Sequence, residues 1–267
     1  MVPPKTREPD RVSALRDERL QVLRFCSELT GDDWLAPSSA NGWRVKDVVA
    51  HLGAGCHGLF TADSLTVLRS KDIERTNEAM VDTRRGWAPG DVLAEYARWS
   101  ARVTRLASVV AATPLNALRV PLAELGRFRL GLILGGAIVF DQHTHLRFDL
   151  APALGRVAPP TDANRMSVVI EWMLAVLANQ VQRAHLEWMD RPVLLTLTGL
   201  GGGSWSVTGD GAIATGCMEG PIGAAIFASA EQFPEWATRR AAWRERTVSV
   251  DGDIDYGERF LDSVNVV

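Results

Sequence analysis

Phe140-Asp141-Gln142-His143-Thr144-His145 follows the longest apolar run of the chain, Leu130 to Phe140, and the combined pattern predicts one helix from roughly Leu130 to Leu150. Asp141 and His145 are four residues apart, a little over one helical turn, so both side chains leave the same face. His143 is the rival ligand, but on a regular helix it points about 200° away from His145. The two cannot serve one ion without local unwinding. His51 lies in Trp43-Arg44-Val45-Lys46-Asp47-Val48-Val49-Ala50-His51-Leu52, a second helical pattern. Two facing helices therefore offer His51, Asp141 and His145 to one ion, the ligand set of a catalytic zinc site with an open fourth position. Taken singly, each of these residues reads equally as a structural histidine or a surface ion pair. Asp47 precedes His51 by one turn and Asp149 follows His145 by one turn, and either carboxylate is placed to bond the second ring nitrogen of a metal-bound histidine.

Working outward, the apolar stripe Val12, Leu15, Leu20, Val22, Leu23 and Cys26 predicts a helix over Arg11 to Thr30, stopped by Gly31-Asp32-Asp33. A loop from Pro37 to Gly42 leads into a helix from about Trp43 to Leu68, and Pro89-Gly90-Asp91 starts another that runs to about Ala112. With the 130–150 segment these make a four-helix bundle, an architecture that builds metal sites from inward-facing side chains. Gly155-Arg156-Val157-Ala158-Pro159-Pro160-Thr161-Asp162 reads as a linker, which divides the chain into 1–158 and 159–267.

The second part reads as α+β. A helix from about Ala163 to Met189 precedes a hairpin built from Pro192–Gly199 and Gly203–Gly209, and Ile222 to Ala228 is a further strand. Ser229 with Gln232 resembles a capping box for a helix carrying Trp236, Arg239 and Arg240. Arg246 to Val250 and Tyr256 to Val264 suggest one more strand and helix.

At 267 residues, 46% hydrophobic and 23% charged, the chain is long enough for two well-filled cores. A net charge of −3 and a sequence pI of about 6.0 give no basic footprint, which argues against nucleic acid and for a small-molecule partner. Lysine occurs only at positions 5, 46 and 71, a skew of the kind that codon bias produces. The N-terminal Met1-Val2-Pro3-Pro4-Lys5 has no apolar core behind it, and the longest apolar run is too short to span a bilayer, so a cytoplasmic protein is expected. Cys26, Cys56 and Cys217 form no CxxC pair, which argues against a thiolate cage. Cys56, five residues past His51, reads as core, and His57 and His185 read as structural or surface residues.

Asp33-Trp34-Leu35-Ala36-Pro37-Ser38 with Gly42-Trp43 through His51-Leu52 resembles the start of the mycothiol-dependent maleylpyruvate isomerase family, a branch of the DinB-like metal-binding bundles. Phe140 to His145, followed by Asp149-Leu150-Ala151-Pro152-Ala153-Leu154-Gly155, is similar to that family's second motif. There an acidic residue and a histidine four positions on complete the metal triad. Trp236 to Trp243 and Val250-Asp251-Gly252-Asp253 resemble its C-terminal, sterol-carrier-like α+β domain.

The resemblance covers nearly the whole chain. It implies a DinB-like four-helix bundle followed by a smaller sterol-carrier-like domain, zinc or a similar divalent ion on His51, Asp141 and His145, and mycothiol as the thiol cosubstrate. It also implies a cis–trans isomerase in which Arg240, with Arg239 the near alternative, reaches from the second domain to hold carboxylates or developing charge. A mycothiol S-transferase or thiol-exchange enzyme is the alternative, and a non-catalytic metal- or lipid-binding protein a third reading. A monomer or homodimer fits equally. The chain departs from the pattern in three places. Asp141 stands where the prototype has Glu, Asp149 follows His145 by four residues instead of three, and the loop Ser38 to Gly42 differs. The second departure points to a small helix irregularity or to an alternative role for His143.

Overall fold

The computed structural model describes residues 9–266, so Met1-Val2-Pro3-Pro4-Lys5 lies outside it. The first helix, α1 (Arg11–Ser27), begins where the Asp10 carboxylate accepts the Ser13 amide at 2.9 Å and ends three residues earlier than its pattern predicts. Gly31-Asp32-Asp33 does not merely stop it. Thr30 and Asp33 exchange side-chain and backbone bonds in a capping box that opens the short α2 (Gly31–Leu35).

The predicted helix over Trp43 to Leu68 is two. α3 (Val45–Gly58) ends at a turn in which the Thr61 hydroxyl accepts the Asp63 amide and donates to the Gly58 carbonyl, and α4 (Asp63–Arg69) restarts beyond it. Such local side-chain bonds compete with the helical ladder. α5 (Ile73–Asp82), absent from the sequence expectation, is capped by Asp72, and α6 (Pro89–Ala111) starts on its proline as predicted.

A hairpin that was also not foreseen, β1 (Arg119–Leu122) with β2 (Gly126–Arg129), leads into the fourth bundle helix. Its signal is the period-two alternation Arg127-Phe128-Arg129, which buries Phe128 against Trp172 at 4.7 Å between ring centroids. α7 then runs through residues 130–150 without a break, as expected, but widens to π-helical turns at Ile133–Ala137 and again at His145–Leu150.

After the proline-rich connection, α8 (Ala163–Ala184) ends at His185, whose φ of +44° reverses the chain five residues short of the expected end. Five strands follow: β3 (Val193–Thr198), β4 (Gly203–Val207), β5 (Ile213–Thr215), β6 (Ala224–Ser229) and β7 (Val248–Gly252). Their order is β5-β4-β3-β6-β7, with β3 and β6 parallel and the other pairs antiparallel. α9 (Phe233–Ala237) and α10 (Ile254–Ser263) complete the α+β part. The expected Ser229/Gln232 capping box is not formed: Ser229 closes β6, and the Gln232 side chain accepts the Thr247 amide instead.

α8 packs on both halves. Its Met166, Val169 and Met173 belong to one apolar core with Leu15, Val103 and Ile133 of the bundle and with Leu195, Ile226 and Phe233 of the sheet region. The approach is close enough that a Cβ on Gly211 would sit 2.4 Å from the Ala178 carbonyl oxygen, and φ there is +82°. Beneath this core Glu18, fully buried on α1, is bonded by Arg147 of α7 and by Arg165 of α8, the latter at 3.2 Å. A second apolar cluster, with Val22, Trp34, Val48, Leu52, Tyr96 and Leu146, fills the end of the bundle where α3 faces α7. Among the described residues, no helix is long and apolar enough to cross a membrane.

Candidate metal centre

His51 enters from α3 and Asp141 and His145 from α7, and their donor atoms all lie within 4.8 Å of one another. Asp141 Oδ1 is 3.2 Å from His51 Nε2 and 3.3 Å from His145 Nε2, so the carboxylate bridges two imidazole nitrogens. Both histidines are buried, while the Asp141 side chain remains 34% exposed and forms the solvent side of the group. Burial pushes the Asp141 carboxyl up, but the charge of His51 and the bonds to both imidazoles outweigh it and hold the group well below the usual carboxylate range. Burial alone would lower His145. Its bonds to Asp141 and Asp149 reverse that and push it up to about 9.

The expected outer carboxylate is present on one histidine and missing on the other. His145 Nδ1 lies 2.6 Å from Asp149 Oδ2, and Asp149 is 1% exposed. This bond falls within the widened turn at His145–Leu150, an irregularity that the four-residue spacing allowed. Asp47 does not play the equivalent part. It sits three residues after Arg44, where its carboxylate accepts the Arg44 amide at 3.0 Å and an Arg85 guanidinium N–H at 3.3 Å. Among the described residues, His51 Nδ1 is left buried without a hydrogen-bond partner.

Arg240 reaches this centre through Asp149. Its Nε lies 3.1 Å from both carboxylate oxygens, its Nη2 donates to Oδ2 at 2.8 Å, and its Nη1 bonds the Thr238 hydroxyl at 2.9 Å. The helix expected to carry Arg239 and Arg240 stops at Ala237, and Arg239 takes a left-handed φ of +57°. That turn sends neighbouring side chains in opposite directions. Arg239 donates to the carbonyls of Val264 and Asp262 and is not brought to the triad.

His143 is also kept from the ligand group. It is buried on another face of α7 with neither ring nitrogen bonded among the described residues, and burial, then the charges of Arg147 and Arg165, drive its pKa well down. His57 pairs with Glu95 at 2.7 Å and stacks on Trp99, and His185 ends α8. Cys56 is buried and its thiol is pushed up to about 12 by desolvation, the behaviour of a core residue. Sequence reasoning missed Trp43 as a neighbour of the site. Its ring lies 5.2 Å from that of His51, and the available signal was a large aromatic residue at the end of an otherwise polar loop, two residues before the first residue of the helix that carries His51.

Two imidazoles and one carboxylate, with one imidazole backed by a buried carboxylate, suit a divalent ion of the zinc type. The paired Nε2 atoms held on one carboxylate oxygen are the observation behind that fit, since without an ion they can share only its lone pairs. Among families of known domains, the model of the mycothiol maleylpyruvate isomerase N-terminal domain matches residues 15–127, a span that includes His51 and ends before Asp141. Among solved structures, the chain is similar to the crystal structure of the mycothiol-dependent maleylpyruvate isomerase, with a TM-score of 0.52 and 13% identity over 90% of this chain and 91% of that one. A crystal structure of a histidine-to-alanine mutant of the mycothiol-dependent maleylpyruvate isomerase gives a TM-score of 0.49 and 12% identity over the same shares. At these identities the likeness is one of fold. No curated protein matches the chain.

Proposed function

We propose, from the match of the mycothiol maleylpyruvate isomerase N-terminal domain model to residues 15–127, that the protein is a metal-dependent, thiol-using cis–trans isomerase of the maleylpyruvate isomerase type, with mycothiol as the thiol. The observation that carries the reading is the convergence of His51, Asp141 and His145 from two helices, backed by the His145–Asp149–Arg240 chain. A divalent ion such as zinc on these three residues would supply the Lewis acidity that keeps a thiol sulfur in its nucleophilic thiolate form.

In this reading, addition of the thiol sulfur to an activated double bond leaves a carbanion in which the former double bond is free to rotate. Expulsion of the same thiol restores the double bond in the trans geometry. The chain's own residues set the stage for this. Asp149 fixes the His145 tautomer so that Nε2 faces the donor group, and Arg240 keeps Asp149 ionised: burial raises that carboxyl, while His145 and Arg240 more than reverse the effect. Buried Cys56 and Cys26, both pushed up to about 12, are unsuited to the nucleophile's role, which this reading gives to an external thiol.

Arg240 therefore serves first as a positioning residue, since three of the four hydrogen bonds its guanidinium makes go to Asp149. The test is incubation of the metal-loaded protein with mycothiol and maleylpyruvate, followed by absorbance and mass spectrometry. Fumarylpyruvate with regenerated thiol supports the isomerase. A stable sulfur conjugate replaces it with the S-transferase, and no consumption of either compound removes both.

A further inference from the structure

The two ligand imidazoles are oriented by different means. His145 is held by its Nδ1 bond to Asp149. His51 has no such bond, and among the described residues its buried Nδ1 is unpartnered. The second side-chain torsion of a histidine is broad and roughly two-fold, so a ring bonded to Asp141 through Nε2 but not through Nδ1 is oriented in part by packing. Trp43 supplies that packing. Its ring lies 5.2 Å from the His51 ring at 42° and 6.3 Å from the His145 ring at 29°, and the two imidazoles meet edge-on at 5.1 Å.

The indole is itself fixed from several sides. The Trp43 carbonyl accepts the Ser38 amide at 2.9 Å, its amide donates to the Ala40 carbonyl at 3.1 Å, and the neighbouring Ser39 amide donates to the Asp149 carbonyl at 3.0 Å. Indole Nε1 donates to Glu78 Oε2 at 2.6 Å. Glu78, on α5, pairs in turn with Arg85, which also bonds Asp82 at 2.5 Å and Asp47 at 3.3 Å. A helix that contributes no ligand is thus latched to the metal centre through one indole N–H.

We propose that Trp43 is a positioning residue of the metal centre: it replaces the missing outer hydrogen bond of His51 with a ring contact, and Glu78 sets the plane of that ring. The inference rests on the metal-centre reading above. An apolar ring beside both imidazoles would also limit water near a bound ion, one of the ways in which the surroundings of a site tune its metal.

The experiment uses the full-length protein loaded with Co²⁺, whose visible d–d absorption is strong in four-coordinate sites and weak when added waters raise the coordination number. Trp43→Leu keeps apolar bulk without a ring, and is expected to weaken Co²⁺ affinity by about tenfold, the lower end of the range for lost outer contacts, and to reduce the d–d intensity. Trp43→Phe, which keeps a ring but loses the N–H bonded to Glu78, should fall between wild type and Trp43→Leu, and Glu78→Ala, which removes the acceptor, should move in the same direction as Trp43→Leu by a smaller amount. A folded Trp43→Leu protein with the affinity and spectrum of wild type overturns the proposal. Should circular dichroism show that variant to be unfolded, Glu78→Ala decides, and an unchanged spectrum there overturns it. Wild-type protein that takes up no Co²⁺ overturns the metal-centre reading and this inference with it, whereas normal uptake insensitive to Trp43 overturns this inference alone.

Discussion

Arg240 Nη2 lies 2.8 Å from Asp149 Oδ2, so a residue that follows the last turn of α9 grips the carboxylate that orients His145. Asp149 is 1% exposed and Arg240 25%, which makes the pair a junction between the α+β part and the ligand helix that water reaches from one side only. Arg240→Ala is expected to lower metal affinity by about 10- to 100-fold, the range for loss of a partner outside the ligand set, and Arg240→Lys should recover part of it. Arg239→Ala should leave metal binding unchanged because Arg239 bonds only the carbonyls of Val264 and Asp262. Competition with a chromophoric chelator measures both.

Metal content follows from the triad. His51→Ala and His145→Ala should each take the protein from about one ion per chain to none retained through dialysis, because two remaining ligands hold a divalent ion poorly. His143→Ala should keep its ion, since His143 faces Arg147 and Arg165 instead. Elemental analysis of the four proteins side by side checks the assignment, and undiminished metal in both of the first two variants would sink it.

Glu18 is buried between Arg147 and Arg165. Replacing it with Gln leaves two guanidinium groups without their shared carboxylate, and removal of one partner from a buried ion pair typically costs about 3–5 kcal/mol. The expected loss is read by urea denaturation, with the Co²⁺ spectrum of the still-folded protein unchanged. Glu18→Gln as stable as wild type would mean that the network contributes nothing net.

Acid should act through Glu95. Burial raises this carboxyl, but hydrogen bonds from Arg84 and His57 outweigh burial and leave it below its ordinary value of 4.5. A folded-state value below the unfolded one contributes stability above about pH 4.5 that is lost as pH falls through the lowered value. Between neutral pH and pH 3, Glu95→Gln should therefore lose less stability than wild type while starting from a lower melting temperature. Parallel melting curves against pH for the two proteins would contradict this.

The grouping of His51, Asp141 and His145 was legible because helical spacing fixes which face a side chain leaves, and the one-residue excess before Asp149 allowed either a helix irregularity or another role for His143, of which the structure shows the widened turn. Asp47 was misread by the same rule that found Asp149. Spacing to His51 suggested an outer carboxylate, yet its place three residues after the residue that caps the helix made the backbone amide of Arg44 the nearer donor. Arg240 was legible through family resemblance, whereas the turn that separates it from Arg239 depends on a left-handed residue for which Arg carries no sequence signal. The Trp43–Glu78–Arg85 chain was not legible, because its members come from a loop, a helix and a turn that only tertiary packing brings together. The short helices α4 and α5 escaped for a related reason: Thr61 and Asp72 interrupt and restart the helix with side-chain bonds that leave the apolar pattern unbroken.

The single core that runs from the bundle through α8 into the sheet has a consequence for biosynthesis. A ribosome has delivered all three ligands once residue 145 is made, but Arg165, the second partner of Glu18, and Arg240, the grip on Asp149, are still to come. A nascent chain halted near residue 158 thus carries a ligand set with a bare apolar flank where α8 belongs and a buried carboxylate with half its charge balance. In chain order the three candidate ligands come first, and Arg240, which bonds Asp149, comes last.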